Sequence, residues 1–117
     1  MTTPLYKLKA EFFKTLGHPA RIRILELLAQ DEHSVGELQA EVGLEGSHMS
    51  QQLGVLRHAG VVAARKQGNS VIYSLATPDM ADLLAVARKV LTGMLNDQVN
   101  MLNDLKASAH AAAGTAS

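Results

Sequence analysis

The stretch "EGSHMSQQLGVLRHAGVV", residues 45–62, decides the fold. Its pattern is that of a helix whose first turns carry short, uncharged polar side chains, whose later turns are apolar, and which stops at a glycine. The segment before it contains another helix, because Ser34 and Glu37 have the spacing of a capping box and Gly43 is placed to end the helix. A short helix, a tight turn containing glycine and a second helix predict a helix-turn-helix.

Three further helices are predicted from apolar residues that recur every three or four positions. They span residues 5–16, the segment from Pro19 to residue 30, and the segment from Asp79 to about Leu105. Proline is compatible with a first helical position because its missing N–H group would have no helical partner there, and His18 before it is expected to cap the helix or pack against it. The small polar residues 107–117 predict a disordered tail, which leaves residues 1–106 as the folded domain.

Two short strands are predicted for residues 61–67 and 70–76, which alternate with period two and are rich in Val, Ile and Tyr. Gly68 and Asn69 lie between them and both tolerate a positive φ angle, so we expect a hairpin. The predicted fold class is therefore mainly α with a small β-hairpin. It is a winged helix-turn-helix with four helices, the hairpin and a fifth helix in chain order.

The composition excludes several classes of protein. A chain of 117 residues fits one compact domain, and the absence of cysteine excludes disulfides, thiolate metal sites and cysteine nucleophiles. No apolar run approaches the roughly 20 residues that span a bilayer, and no secretory signal is visible, so we expect a cytoplasmic protein with no membrane contact. The sequence contains no nucleophile–base set, phosphate-binding glycine loop or paired carboxylates in a cleft-forming motif, so we expect no enzyme.

The formal net charge of zero hides an uneven distribution. Residues 46–76 carry Arg57, Arg65 and Lys66 and no acidic residue, whereas the segment before them is rich in glutamate. Lys and Arg supply the phosphate contacts of nucleic-acid-binding proteins, and their clustering matters more than the total charge. The second helix of the motif and the hairpin therefore form a locally basic stretch.

Double-stranded DNA is the partner that this arrangement favours. The second helix of a helix-turn-helix lies in the major groove, where Gln and Ser side chains can bond base edges. Hairpin residues commonly contact the phosphate backbone or the minor groove. The candidate DNA-binding residues are Ser47, His48, Ser50, Gln51, Gln52, Arg57, Arg65, Lys66 and Asn69. An ordinary solvated first turn would also be rich in serine, which caps helices, but the basic hairpin that follows favours DNA.

Three stretches together have the pattern of a known family: "LGHPARIRILELL", "VGELQAEVGLEGSHMSQQLGVLRHAGVV" and "RKQGNSVIYSL". In this order, they resemble the second helix, the helix-turn-helix and the wing of the ArsR/SmtB family of bacterial transcriptional repressors. The resemblance covers about residues 5–105. It implies a homodimeric repressor that binds operator DNA and releases it on sensing a ligand, often a metal ion.

The resemblance also implies that the terminal helices form the dimer interface. These helices carry more apolar surface than one small domain can cover, although an internal core is the alternative. The candidate interface residues are Leu5, Leu8, Phe12, Leu84, Leu91, Met94, Leu95 and Leu102. A winged-helix module used only for protein association, without affinity for DNA, is a further alternative.

Neither metal site of the family can be carried over to this chain. The thiolate site needs cysteine on the third helix, and the other site pairs Asp with His, which the last helix lacks before His110. The remaining metal candidates are Asp31, Glu32 and His33, whose oxygen and nitrogen ligands would suit Ni²⁺ or Zn²⁺ as an effector. A solvated loop is the alternative for these three residues. No other cofactor is expected, and the signal could instead come from a regulatory protein partner or another ligand.

Overall fold

The computed structural model describes residues 2–115, and side-chain exposure as far as residue 111. Within this range, five helices are formed: α1 (Leu5–Leu16), α2 (Pro19–Gln30), α3 (Val35–Val42), α4 (Gly46–His58) and α5 (Asp79–Thr115). Three strands, β1 (His33–Ser34), β2 (Val62–Gln67) and β3 (Ser70–Leu75), form an antiparallel sheet in the order β1-β3-β2. The winged helix-turn-helix prediction is confirmed, with β1 as an addition that the sequence did not predict.

Local sequence signals set the helix boundaries. The Nδ1 atom of His18 accepts a hydrogen bond from the Ala20 N–H group at 3.1 Å and so caps α2. Ser34 and Glu37 form the predicted capping box, in which each side chain accepts from the backbone N–H of the other at 3.2 Å. Gly43 ends α3 with a left-handed φ of 74°, a conformation that glycine adopts without steric cost.

Residues as far as Asp82 form the first of two compact units. Its core is almost entirely aliphatic and draws on helices α1 to α4, the start of α5 and both long strands. The buried residues are Leu16, Ile24, Leu25, Leu27, Leu28, Leu38, Met49, Leu53, Leu56, Val61, Val62, Tyr73 and Met80. Because α4 contributes three of them, its orientation is fixed by packing against the rest of this unit.

The sheet ties the hairpin to the segment that precedes α3. His33 pairs with Tyr73 and Ser34 pairs with Ile72, which adds β1 to the free edge of β3. On the other edge, β2 pairs with β3 from Val62 opposite Leu75 to Gln67 opposite Ser70. The hairpin, which forms the wing (residues 62–75), therefore starts beside α4, and the middle of its strand β3 is paired with the segment after α2.

The second compact unit consists of the remainder of α5, from Leu83 onward. The predicted end of this helix near Leu105 is wrong, because the helix continues to Thr115. Alanine, the strongest helix former, dominates residues 107–113. Residues 116 and 117 lie outside the described residues, and the division into a domain 1–106 and a tail 107–117 stays a prediction. Among the described residues, no helix, α5 included, has an apolar stretch long enough to cross a bilayer.

Candidate DNA-binding interface

Helix α4 has one face buried in the core and one face exposed to solvent. Met49, Leu53 and Leu56 are at most 1% exposed and recur at steps of four and three residues, which places them on one side of the helix. The N-cap residue Glu45 makes no side-chain hydrogen bond to the first turn. The N–H groups at the start of α4 are therefore left for water or for an anion, which the positive end of the helix dipole attracts.

The outer face of the first turns carries the polar side chains that the sequence singled out. Ser47, His48, Ser50 and Gln51 are all exposed. Among the described residues, no hydrogen bond or ion pair engages these four side chains. Their donors and acceptors are consequently available to the edges of DNA bases, which Ser and Gln can bond in the major groove.

Gln52 has a different role from its neighbours. It is half-buried, and its Oε1 atom accepts a hydrogen bond from Arg21 Nε at 2.8 Å. Arg21 Nη1 also donates to the Thr15 carbonyl oxygen at 3.0 Å, near the end of α1. Through Arg21, Gln52 therefore links α4 to α2 and α1, and its Oε1 atom is engaged inside the protein. Sequence reasoning missed Arg21, because 31 positions separate it from Gln52 and no local pattern connects the two.

The wing presents fewer free cations than its sequence suggests. Lys66 and Asn69 are exposed, and their side chains have no hydrogen-bond partner within the described chain. Arg65, in contrast, donates two parallel hydrogen bonds to the carboxylate of Glu32, at 2.5 and 2.6 Å. Hydrogen bonds from Arg65 lower the pKa of the Glu32 carboxyl below its ordinary value. Arg57, the remaining candidate of this stretch, is exposed in the last turn of α4.

The three metal candidates are not brought together. Asp31 Oδ1 accepts a hydrogen bond from the Glu32 N–H group at 2.8 Å, and the Glu32 carboxylate is engaged by Arg65. His33 Nδ1 lies 3.2 Å from Glu37 Oε2, and this contact is the first cause of the lowered pKa of Glu37. In the described part of the chain, no group of three or more His, Asp or Glu side chains could hold a metal ion. Each side chain of the Asp31–His33 segment is thus directed to a different partner.

The candidate dimer residues lie on two helices, α1 and α5. On α1, Leu5 and Leu8 are exposed and Phe12 is half-buried. On α5, Leu84 is half-buried, whereas Leu91, Met94, Leu95 and Leu102 are each more than half exposed. Val90, Val99, Met101 and Leu105 add to the exposed apolar surface of α5. An exposed apolar surface of this extent is typical of a protein–protein contact.

Known proteins share both the sequence and the fold. A family model described as a helix-turn-helix domain matches residues 16–65. The HTH-type transcriptional regulator Rv0081 of Mycobacterium tuberculosis is 69% identical over 109 residues, which cover 92% of this chain and 96% of that protein. Its crystal structure aligns with a TM-score of 0.79 and covers 84% of this chain and 99% of the crystallised chain.

Two further relatives extend the comparison to more distant proteins. The transcriptional repressor SmtB homolog of Synechocystis is 39% identical over 74 residues, 63% of this chain and 56% of that protein. The homodimeric winged helix-turn-helix DNA-binding domain of Mb0332 from Mycobacterium bovis is 32% identical with a TM-score of 0.73, over 80% of this chain and 86% of that one. The chain belongs to the ArsR/SmtB family of winged helix-turn-helix transcriptional regulators.

Proposed function

We propose that this protein is a repressor that binds a specific operator in double-stranded DNA through the start of α4 and through the wing. The observation that carries the proposal is the set of four free polar side chains at positions 47, 48, 50 and 51. They project from a helix whose opposite face is anchored in the core, which is the arrangement that places a recognition helix in the major groove. The SmtB homolog is a repressor by name, which favours repression over activation.

We propose further that the DNA-binding form is a homodimer built on α1 and α5. The exposed leucines of these helices support this assembly, as does the homodimeric state of the Mb0332 domain. Two-fold symmetry would set the two α4 helices about one helical turn of DNA apart, roughly 34 Å. The operator is then expected to be an imperfect palindrome. With operator DNA as its partner, the protein would act in the cytoplasm.

A titration by fluorescence anisotropy tests DNA binding directly. The protein is added to a labelled duplex from its own upstream region and, as a control, to a duplex of the same composition in scrambled order. We expect tighter binding to the upstream duplex and a steep loss of affinity between about 50 and 200 mM salt, because phosphate contacts release counterions. Equal binding to the two duplexes would overturn the specific operator, whereas absent binding to both would overturn the proposal and favour a module used only for protein association.

The signal that controls DNA binding stays a prediction with two branches. A Ni²⁺ or Zn²⁺ effector would need oxygen and nitrogen ligands, and the described residues do not assemble such a set in advance. His33 Nδ1 and Glu37 Oε2 lie 3.2 Å apart and offer one nitrogen and one oxygen ligand. Calorimetric titration of each metal into wild type and His33→Ala separates the branches. Binding that the substitution abolishes favours a metal effector held by His33. Equal weak binding in both would remove the segment of residues 31–33 from consideration and leave a partner protein or another ligand.

A further inference from the structure

Glu32 and Arg65 form the ion pair with the shortest N···O distance among the described residues. Glu32 lies in the turn after α2, and Arg65 projects from β2 of the wing. Arg65 Nη1 donates to Glu32 Oε2 at 2.5 Å and Nη2 donates to Oε1 at 2.6 Å, so the guanidinium and the carboxylate form a bidentate pair. Nη2 also donates to Gln67 Oε1 at 3.1 Å. The guanidinium has five N–H groups in all, and most of them are thus used inside the protein.

This contact changes the charge that the wing offers to DNA. Within residues 46–76, the formal cations are Arg57, Arg65 and Lys66. The carboxylate of Glu32 comes from outside that stretch and offsets the charge of Arg65. The wing therefore keeps Lys66 as its one uncompensated cation among the described residues.

The contact is well shaped but open to solvent. The Arg65 side chain is 49% exposed and the Glu32 side chain is 44% exposed. Water and salt screen an ion pair at such positions, so that opening it requires little free energy. An anion that approaches from solvent can consequently compete for the guanidinium.

A DNA phosphate is such an anion. Carboxylate and phosphate both present two oxygens to the parallel N–H groups of arginine, and each forms the same bidentate pair. We propose that Glu32 occupies the place of a DNA phosphate on Arg65 in the free protein and so restrains the affinity for the operator. This inference rests on the proposed function. It assigns to Glu32 a role that opposes DNA binding, and to Arg65 a phosphate contact that forms only when Glu32 is displaced.

A purely structural role for the pair predicts the opposite sign. If Glu32 served to hold Arg65 and the wing in position for DNA, its removal would disorder the contact and weaken binding. If Glu32 acts as a competitor, its removal frees a cation that is already beside the DNA. The direction of the change in affinity therefore distinguishes the two roles.

The experiment is a double-mutant cycle on the labelled upstream duplex. Wild type, Glu32→Gln, Arg65→Gln and the double variant are titrated by anisotropy at several salt concentrations, after circular dichroism has confirmed that each is folded. We expect Glu32→Gln to bind about two- to five-fold tighter, the range that corresponds to a solvent-exposed ion pair. Its dependence on salt should stay close to that of the wild type, because Arg65 contacts the same phosphate in both complexes. In the Arg65→Gln background, the same substitution should leave the affinity unchanged.

A matched control separates this contact from the general loss of a negative charge. Glu26 is also half-exposed, lies in the same unit and pairs with Arg23 of its own helix at 3.8 Å. Glu26→Gln should change the operator affinity much less than Glu32→Gln does. Unchanged or weaker binding by Glu32→Gln, or equal tightening by Glu26→Gln or in the Arg65→Gln background, would overturn the inference. Failure of the wild type to prefer the upstream duplex would instead overturn the DNA-binding proposal itself, and this inference with it.

Discussion

Helices α4 and α5 place their apolar side chains in opposite environments. In α4, Leu53 and Leu56 are buried by the rest of the same chain, and the side chains left outside are polar. In α5, Leu91 and Leu95 are 58% and 59% exposed. The apolar side chains of α4 are thus buried by the same chain, whereas those of α5 remain exposed to water.

This contrast separates two kinds of function within one short chain. A helix that is anchored on one face can present polar groups to DNA in a fixed geometry, because the core holds its orientation. A helix with an exposed apolar face is stabilised when another surface covers that face and removes it from water. We therefore expect substitutions in α4 to change stability or DNA recognition, and substitutions in α5 to change association.

The largest effect should follow from a cavity under α4. Leu56 is fully buried, so Leu56→Ala is expected to lower the free energy of unfolding by about 2–5 kcal/mol. Urea denaturation followed by circular dichroism measures this change. A loss below about 0.5 kcal/mol, the size typical of surface substitutions, would show that α4 is not anchored as the structure indicates.

A charge on α5 should act on association instead. Leu95→Asp places a carboxylate on the exposed apolar face, and we expect it to weaken the homodimer by about 2 kcal/mol or more, since charges are excluded from the centre of such interfaces. Sedimentation equilibrium over a range of protein concentrations measures the dissociation constant. Asp97→Asn on the same helix is a control for altered charge. A variant as dimeric as the wild type would remove Leu95 from the interface.

Recognition by the free face of α4 can be tested at one base. Gln51→Ala is expected to cost about 1–3 kcal/mol in operator binding and to relax the preference at one position of the site. The Gln51 side chain makes no hydrogen bond within the described chain, so protein stability should not fall. Binding measured on a set of single-base operator variants identifies the position. Uniform weakening across all sequences would show that Gln51 contacts the backbone and does not select a base.

The smallest effect compares the same substitution in both helices. Gly54 in α4 and Gly93 in α5 are exposed, and a Cβ atom added at either would meet nothing within 4 Å. Alanine at each position should raise the stability of its helix by about 0.5–1 kcal/mol, because glycine has the greater conformational freedom to lose. Thermal unfolding of the two variants measures the gain. Destabilisation by Gly54→Ala would indicate a packing constraint on α4 that the structure does not show.

Much of the fold could be predicted because its signals are local. Each of these signals involves residues only a few positions apart. Examples are the cap formed by Ser34 and Glu37, the stop at Gly43, and the apolar spacing of Met49, Leu53 and Leu56. Strand β1 could not be predicted, since two residues show no alternation and their pairing depends on Tyr73 and Ile72 far along the chain. The predicted end of α5 near Leu105 is wrong because small polar residues can indicate disorder, whereas the alanines among them favour a helix.

The same distinction between local and long-range signals applies to the candidate site. The exposure of Ser47, His48, Ser50 and Gln51 follows from the helical period, so the sequence was sufficient to predict it. Gln52 and Arg65 each bind a residue more than thirty positions away in the chain. Such contacts between distant elements cannot be predicted from a single sequence. The charge available to DNA is therefore a property of the folded surface and cannot be counted along the chain.

The two bonds of Arg21 have a consequence for how this protein would respond to its partners. One side chain joins the carbonyl end of α1 to Gln52 on α4, so a shift of either helix strains a contact of the other. If subunit association through α1 and operator binding through α4 favour the same arrangement of this junction, the two equilibria are linked. Thermodynamic reciprocity then requires that DNA strengthen the dimer by the same factor by which dimerisation strengthens binding to DNA.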